Sequence, residues 1–189
     1  MTSFLLWLGI GLASVVVERV LAPKRSFHVT PASKLVDGIM TICTVVVVAV
    51  PPMLSVVLPG NLLAWPASAF CITVGAALGA GGVAFRAAAM AHLGFRYQLS
   101  PVNQLHSAPL ATAGPYRLVR HPGYLGLVAQ FVGMSLLFSQ PIAALSVIPL
   151  LVAVRYRIVF EESLLREEFG ARYLDYSSHT RWRVIPCLY

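Results

Sequence analysis

Three long stretches without a charged side chain decide what kind of protein this sequence can form. They cover residues 4–17, 39–58 and 62–85. The second and third are each long enough, as helices, to cross a hydrocarbon core of about 30 Å, and the first is long enough once it extends to residue 22. Only 11% of the 189 residues are charged, against roughly 25% in soluble domains. We therefore predict an all-α integral membrane protein.

Five segments are predicted as transmembrane helices, at about residues 3–22, 36–58, 62–90, 122–138 and 141–160. The apolar runs of the last two would extend only about 24 and 20 Å, so these helices are expected to form a short hairpin. The last helix is expected to leave the membrane at Arg155 and to run on to about Phe169, with Gly170 as its C-cap. A polar and aromatic tail is expected to follow, ending in a loop.

The whole chain, residues 1–189, is interpreted as a single domain. Residues 1–90 would be a three-helix scaffold. The first helix lacks a basic region before it and a clear cleavage site, so we expect it to be retained. The third carries closely spaced glycines that are expected to let helix backbones pack tightly; they are Gly75, Gly79, Gly81 and Gly82.

The distribution of Lys and Arg predicts the orientation. The connections near residues 59–61 and 139–141 contain neither, and every basic residue falls on the other side of the predicted bundle. The positive-inside rule makes that side cytoplasmic. The chain is thus expected to be a multi-pass protein of the cell (inner) membrane, with its N-terminus outside and its C-terminus cytoplasmic. This topology accounts for the net charge of +7, and no nucleic-acid partner is predicted.

Two polar segments, residues 114–126 and 155–162, stand at the predicted membrane edge. Arginine, histidine and paired glutamates are expensive there, and the usual reason to keep them is a functional site. His121 precedes Pro122 at a predicted helix start, where the positive helix end and Arg120 favour a neutral imidazole.

The second polar segment is predicted to present its charges on a helix. Arg157 and Glu161 are four residues apart and should share one face. Glu161 and Glu162, adjacent carboxylates near the membrane surface, suit an ammonium or sulfonium group. Glu167 and Glu168, further out, are expected to be solvated. No zinc pattern, dinucleotide loop or phosphate loop is present in the sequence, so no metal is predicted.

These residues resemble those of the isoprenylcysteine carboxyl methyltransferase family and of the related phospholipid N-methyltransferases. The resemblance covers about residues 114–186 and rests on three motifs. They are Gly114-Pro115-Tyr116-Arg117-x-x-Arg120-His121-Pro122-x-Tyr124-x-Gly126, then Arg157-Ile158-x-x-Glu161-Glu162-x-x-Leu165, and then Phe169-Gly170-x-x-Tyr173-x-x-Tyr176.

The resemblance implies an enzyme that uses S-adenosyl-L-methionine to methylate a lipophilic acceptor within the membrane. That acceptor would be a small molecule or a lipid carrying a carboxylate, an amine or a thiol. Residues 91–189 would then contain a cofactor loop, the helical hairpin and the catalytic region. The implied catalytic residues are Arg157 and Glu161. The implied cofactor-binding residues are Gln104, Leu110, Tyr116, Val119, Arg120, His121, Tyr124 and Glu162.

Two other functions remain open from the sequence. The ending Arg183-Val184-Ile185-Pro186-Cys187-Leu188-Tyr189 is similar to the tail of membrane reductases of the sterol-reductase type, which would use NADPH. A non-enzymatic membrane scaffold or a small transporter is the second alternative. A transporter would more often carry its charged residues near the bilayer midplane, whereas here they gather at one edge.

Overall fold

The computed structural model describes residues 1–21, 31–57, 69–94, 109–138 and 145–187. These residues are helical and contain no strand, which confirms the predicted all-α fold. In chain order the helices are α1 (Thr2–Leu21), α2 (Pro31–Val57), α3 (Ala69–Leu93), α4 (Pro122–Leu136), α5 (Val147–Phe169) and α6 (Ala171–His179). A short 3₁₀ helix, Gly114–Arg117, lies between α3 and α4.

Three of these helices are long and apolar enough to cross a membrane, and the chain is a membrane protein. Their spans are Thr2–Leu21, Asp37–Val57 and Ala69–Leu93, and many of their large apolar side chains face outward, as lipid contact requires. Helix α4 has 15 residues, which is about 22 Å of helix, and most of its side chains are buried in the bundle. The predicted count of about five spans stays a prediction.

Glycines bring α3 and α4 into backbone contact, as the sequence predicted. A Cβ added to Gly82 would lie 2.4 Å from the backbone nitrogen of Gln130, and one added to Gly133 would lie 2.3 Å from that of Gly79. Gly81 differs from its neighbour, because a Cβ there would meet nothing within 4 Å. The tight packing therefore depends on particular glycines rather than on the whole glycine-rich segment.

We expect Gly82→Ala to destabilise the protein, because its Cβ would overlap backbone atoms of α4 that cannot move independently of the helix. The loss should be about 1–3 kcal/mol, the usual effect of overpacking. Gly81→Ala is the matched control and should be neutral or slightly stabilising, since Ala is the better helix former. Thermal melting in detergent measures both. Equal melting temperatures for the two variants would contradict this account.

Polar contacts fix one end of the bundle as the polar end. The hydroxyl of Ser14 in α1 donates to Gln130 in α4 at 3.2 Å. One turn further along α1, Glu18 forms an ion pair with Arg86 in α3. At the same end, Asp37 near the start of α2 pairs with Arg157 in α5. Charged residues from four helices thus meet at one edge of the apolar bundle.

The C-terminal region contains more helix than the sequence predicted. Helix α5 ends at Phe169 with Gly170 at φ 50° as its cap, as predicted. The polar and aromatic tail expected from residue 171 begins as a helix, because α6 follows Gly170 directly. Its buried Tyr173 and Tyr176 lie three residues apart, on one helical face.

Beyond α6, the tail is fastened to the start of α4. The backbone nitrogen of Arg120 donates to the carbonyl of Trp182 at 2.9 Å, and that of His121 donates to Arg183 at 2.8 Å. Val184 is buried in the core. The tail therefore holds the polar segment that precedes α4.

Candidate active site

A cavity of about 910 Å³ opens at the polar end of the bundle. Ligand pockets commonly range from about 300 to 1,000 Å³. Each of the lining helices either starts or ends at the polar end. The position of a lining residue along its helix therefore shows how far it lies from that end. The inner part lies among membrane helices and is mainly apolar, lined by Val15, Met40, Val45, Leu127 and Phe131. The outer part is lined by Leu110, Tyr116, Leu165, Phe169, Tyr173 and Tyr176.

Charged residues line the zone between these two parts. They come from α1, α2, α3, the start of α4 and α5, and include Glu18, Asp37, Arg86, His121, Arg157 and Glu161. The cavity thus has an apolar inner region, a charged middle and an aromatic outer region. Such a cavity can hold an amphipathic molecule and a polar molecule end to end.

His121 lies between two carboxylates from α5. Its Nδ1 is 3.5 Å from Glu161 Oε2, and its Nε2 is 3.5 Å from Glu162 Oε1. Burial disfavours the charged imidazolium, but the neighbouring carboxylates of Glu161 and Glu162 outweigh burial and raise the pKa of His121. The expectation that this position favours a neutral imidazole was wrong, because these carboxylates of α5 lie beside His121 and favour the charged form.

Glu161 faces the cavity and accepts hydrogen bonds from two further residues. The Tyr124 hydroxyl donates to its Oε1 at 2.5 Å, and Arg157 Nε donates to the same oxygen at 3.1 Å. Although burial disfavours its charged form, His121 and Arg157 lower the pKa of Glu161. The carboxylate is thus held ionised at a fixed position.

Glu162 does not line the cavity; it lies behind the wall, 1% exposed. Its carboxylate is 3.0 Å from Arg120, 3.0 Å from Arg166 and 3.1 Å from Arg183. Burial opposes its ionisation, but His121, Arg183 and Arg120 hold the pKa of Glu162 well below its usual range. This residue connects α5, the start of α4 and the C-terminal tail.

Arg157 links the membrane helices to the charged zone. It is 5% exposed and lines the cavity. Its Nη1 donates to Asp37 Oδ1 and its Nε to Glu161 Oε1. The prediction that Arg157 and Glu161 share a helix face is confirmed. A guanidinium fixed by two carboxylates keeps one orientation.

The structure brings together most of the predicted site residues. Seven of them line the cavity: Leu110, Tyr116, Arg120, His121, Tyr124, Arg157 and Glu161. Val119 is fully buried and, like Glu162, does not line the cavity. Gln104 lies outside the described residues. Their roles in binding and catalysis stay predictions.

Several cavity residues were not predicted from the sequence. Glu18, Asp37 and Arg86 come from the part interpreted as scaffold, and Glu168 was expected to be solvated, yet all four line the cavity. For Glu168 a signal existed, because it is seven residues, about two helical turns, from Glu161 and so shares its face. For the other three the sequence shows only a charge near the end of an apolar run.

Comparisons with known proteins identify the family of this chain. A family model described as PEMT, phospholipid methyltransferase, matches residues 70–172, more than half of the chain. Protein-S-isoprenylcysteine O-methyltransferase A of Arabidopsis thaliana is 35% identical over 82 residues, which are 42% of this chain and 41% of the relative. A probable protein-S-isoprenylcysteine O-methyltransferase of Oryza sativa subsp. indica is 39% identical over 71 residues, 36% of each chain. These matches thus span about two fifths of the relatives' own length.

A solved structure shows the same fold. It is that of a eukaryotic intramembrane Ras methyltransferase, isoprenylcysteine carboxyl methyltransferase, with a TM-score of 0.60 and 21% sequence identity. The similarity covers 89% of this chain and 58% of the other. At this identity the likeness is one of fold, and its 89% coverage is wider than the residues 70–172 that the family model matches.

Proposed function

Because the chain belongs to the phospholipid methyltransferase family, we propose that it transfers a methyl group from S-adenosyl-L-methionine to a lipophilic acceptor resident in the membrane. The observation that carries the proposal is that one cavity has two unlike ends. Its apolar inner part suits a lipid tail that enters between helices, and its aromatic outer part suits a water-soluble cofactor that enters from the membrane surface, which we take as the cytoplasmic side.

The residues present fit such a cofactor. S-adenosylmethionine combines a flat base and a ribose with an ammonium, a sulfonium and a carboxylate. The cavity offers aromatic faces at Tyr116, Phe169 and Tyr176, and a cation is favoured beside the ionised Glu161. Among the described residues, Glu18 Oε2 and Glu168 Oε1 are buried carboxylate oxygens without a hydrogen-bond partner. Buried polar atoms normally have partners, so both suit a bound donor.

We assign the cofactor to the outer and middle cavity. Tyr116 and Leu110 would contact its adenosine, and Arg120, His121 and Tyr124 its amino-acid part. Gln104 belongs to this assignment by resemblance. Val119 and Glu162, which do not line the cavity, would support its wall from behind.

The chemistry asks the protein mainly for position and charge. The cofactor supplies a methyl group activated for in-line displacement, which needs alignment more than acid or base. Arg157 would orient an acceptor carboxylate through its guanidinium, whereas Glu161 would serve an amine acceptor by taking its proton. The names of the curated relatives make the carboxylate of a prenylated cysteine the first acceptor to test, and the family description makes a phospholipid amine the second.

Ligand binding tests the proposal directly. The purified protein in detergent should melt at a higher temperature with S-adenosylhomocysteine, and a ligand at a hundredfold excess over its dissociation constant adds about 2.7 kcal/mol. Methyl-labelled S-adenosylmethionine should then label N-acetyl-S-farnesylcysteine or phosphatidylethanolamine in vesicles. A melting shift with NADPH and none with S-adenosylhomocysteine would replace this function with that of a reductase.

A further inference from the structure

Glu168 is a cavity residue with one carboxylate oxygen that has no hydrogen-bond partner among the described residues. It lies on α5 and lines the cavity together with Glu161, Leu164 and Leu165. These positions repeat at three, four and seven residues, which places them on one helical face. Among the described residues, Glu168 Oε1 is buried and accepts no hydrogen bond. A carboxylate kept in this state is expected to have a donor in the occupied site.

The position of Glu168 along α5 indicates which donor. Glu161 and Arg157 mark the level at which cofactor and acceptor must meet. Glu168 is seven residues beyond Glu161, about 10 Å further out along the helix. In the proposed site, groups near the reacting sulfur would therefore lie at Glu161, and the adenosine part would lie at the level of Glu168.

The neighbours of Glu168 support the same placement. Phe169, Tyr173 and Tyr176 line the cavity beside it and offer apolar or aromatic surface to a base. Adenosine carries two adjacent ribose hydroxyls as donors, and a carboxylate that binds a ribose hydroxyl is a recurrent device in nucleotide sites.

We propose that the Glu168 carboxylate accepts hydrogen bonds from the ribose hydroxyls of the cofactor. The inference rests on the proposed function and adds a residue to it. It differs from the sequence expectation, since Glu168, which was expected to be solvated, becomes a cofactor ligand, whereas Glu162, which the resemblance implied as one, lies behind the cavity wall.

The test compares two ligands on matched variants of the full chain by isothermal titration in detergent. The ligands are S-adenosylhomocysteine and its 2′,3′-dideoxy analogue. Wild type should bind the hydroxylated ligand at least about tenfold more tightly, the effect of losing a hydrogen bond to a charged group. Glu168→Ala should lose about tenfold in affinity for S-adenosylhomocysteine and should bind both ligands about equally. Glu167→Ala, at the adjacent exposed position, is the control and should retain the wild-type preference.

The outcomes separate this inference from the proposed function. If Glu168→Ala keeps the full preference for the hydroxylated ligand, the inference is overturned and the cofactor assignment still stands. Wild type that binds neither ligand overturns the proposed function and the inference with it. Without ligand, Glu168→Gln should melt no lower than wild type, because no described residue donates a hydrogen bond to Oε1. A large drop in that melting temperature would show a structural role and would also overturn the inference.

Discussion

Glu162→Gln is expected to destabilise the folded protein by about 3–5 kcal/mol, the usual loss when one partner of a buried charge network is removed. Gln keeps the shape of the side chain but removes the negative charge that faces the guanidinium of Arg120, and it leaves His121 with Glu161 as its one carboxylate neighbour among the described residues. It also weakens the bond to Arg183 that fastens the tail. Thermal melting and limited proteolysis of the C-terminal segment measure the effect.

Acid should act on the same group. Because the pKa of Glu162 is lowered, its stabilisation is fully present above the ordinary value of 4.5 and is lost as the pH falls toward the folded value. Glu167→Gln is the matched control, since its exposed carboxylate should contribute little. A Glu162→Gln protein that melts like wild type but binds S-adenosylhomocysteine weakly would return Glu162 to the role of a cofactor ligand.

The elements that the sequence predicted well are those that depend on local pattern. Uncharged runs located α1 and α2, and Gly170 located the end of α5, because apolar length and a glycine cap act within a few residues. The sequence also placed Arg157 and Glu161 on one face from helical spacing alone. The same spacing applied to Glu161 would have placed Glu168 in the cavity and turned Glu162, about 100° away around the helix, toward a different environment.

What the sequence could not show depends on contacts between distant segments. The charge on His121 is set by carboxylates that lie about 40 residues later in the chain. Glu18 and Asp37 enter the site only because α1 ends, and α2 begins, where Arg86 and Arg157 lie. No local signal specifies such pairings, so the N-terminal helices appeared to be scaffold alone.

Arg157→Lys is expected to retain cofactor affinity within a factor of about three and to lose at least about a hundredfold in turnover. The guanidinium bonds Asp37 through one nitrogen and Glu161 through another. A lysine ammonium has a single nitrogen on a flexible stem and cannot hold both carboxylates in the same geometry. The cation at position 157, which would orient the acceptor, then loses its fixed geometry. Each tenfold loss in rate corresponds to about 1.4 kcal/mol of activation free energy. Single-turnover methyl transfer to whichever acceptor becomes labelled, beside a titration with S-adenosylhomocysteine, separates the two effects.

Two matched changes identify the source of that loss. Arg155→Lys alters an exposed arginine two residues earlier and should leave turnover near the wild-type value. Asp37→Asn should slow turnover on its own, because it removes one of the two groups that fix the guanidinium. Groups that act as a unit are not additive, so Asp37→Asn combined with Arg157→Lys should be little slower than Arg157→Lys alone. If the fold-loss in turnover of the double variant equals the product of the two single losses, Asp37 acts independently of Arg157. Full turnover in Arg157→Lys would mean that the arginine only anchors α2 to α5.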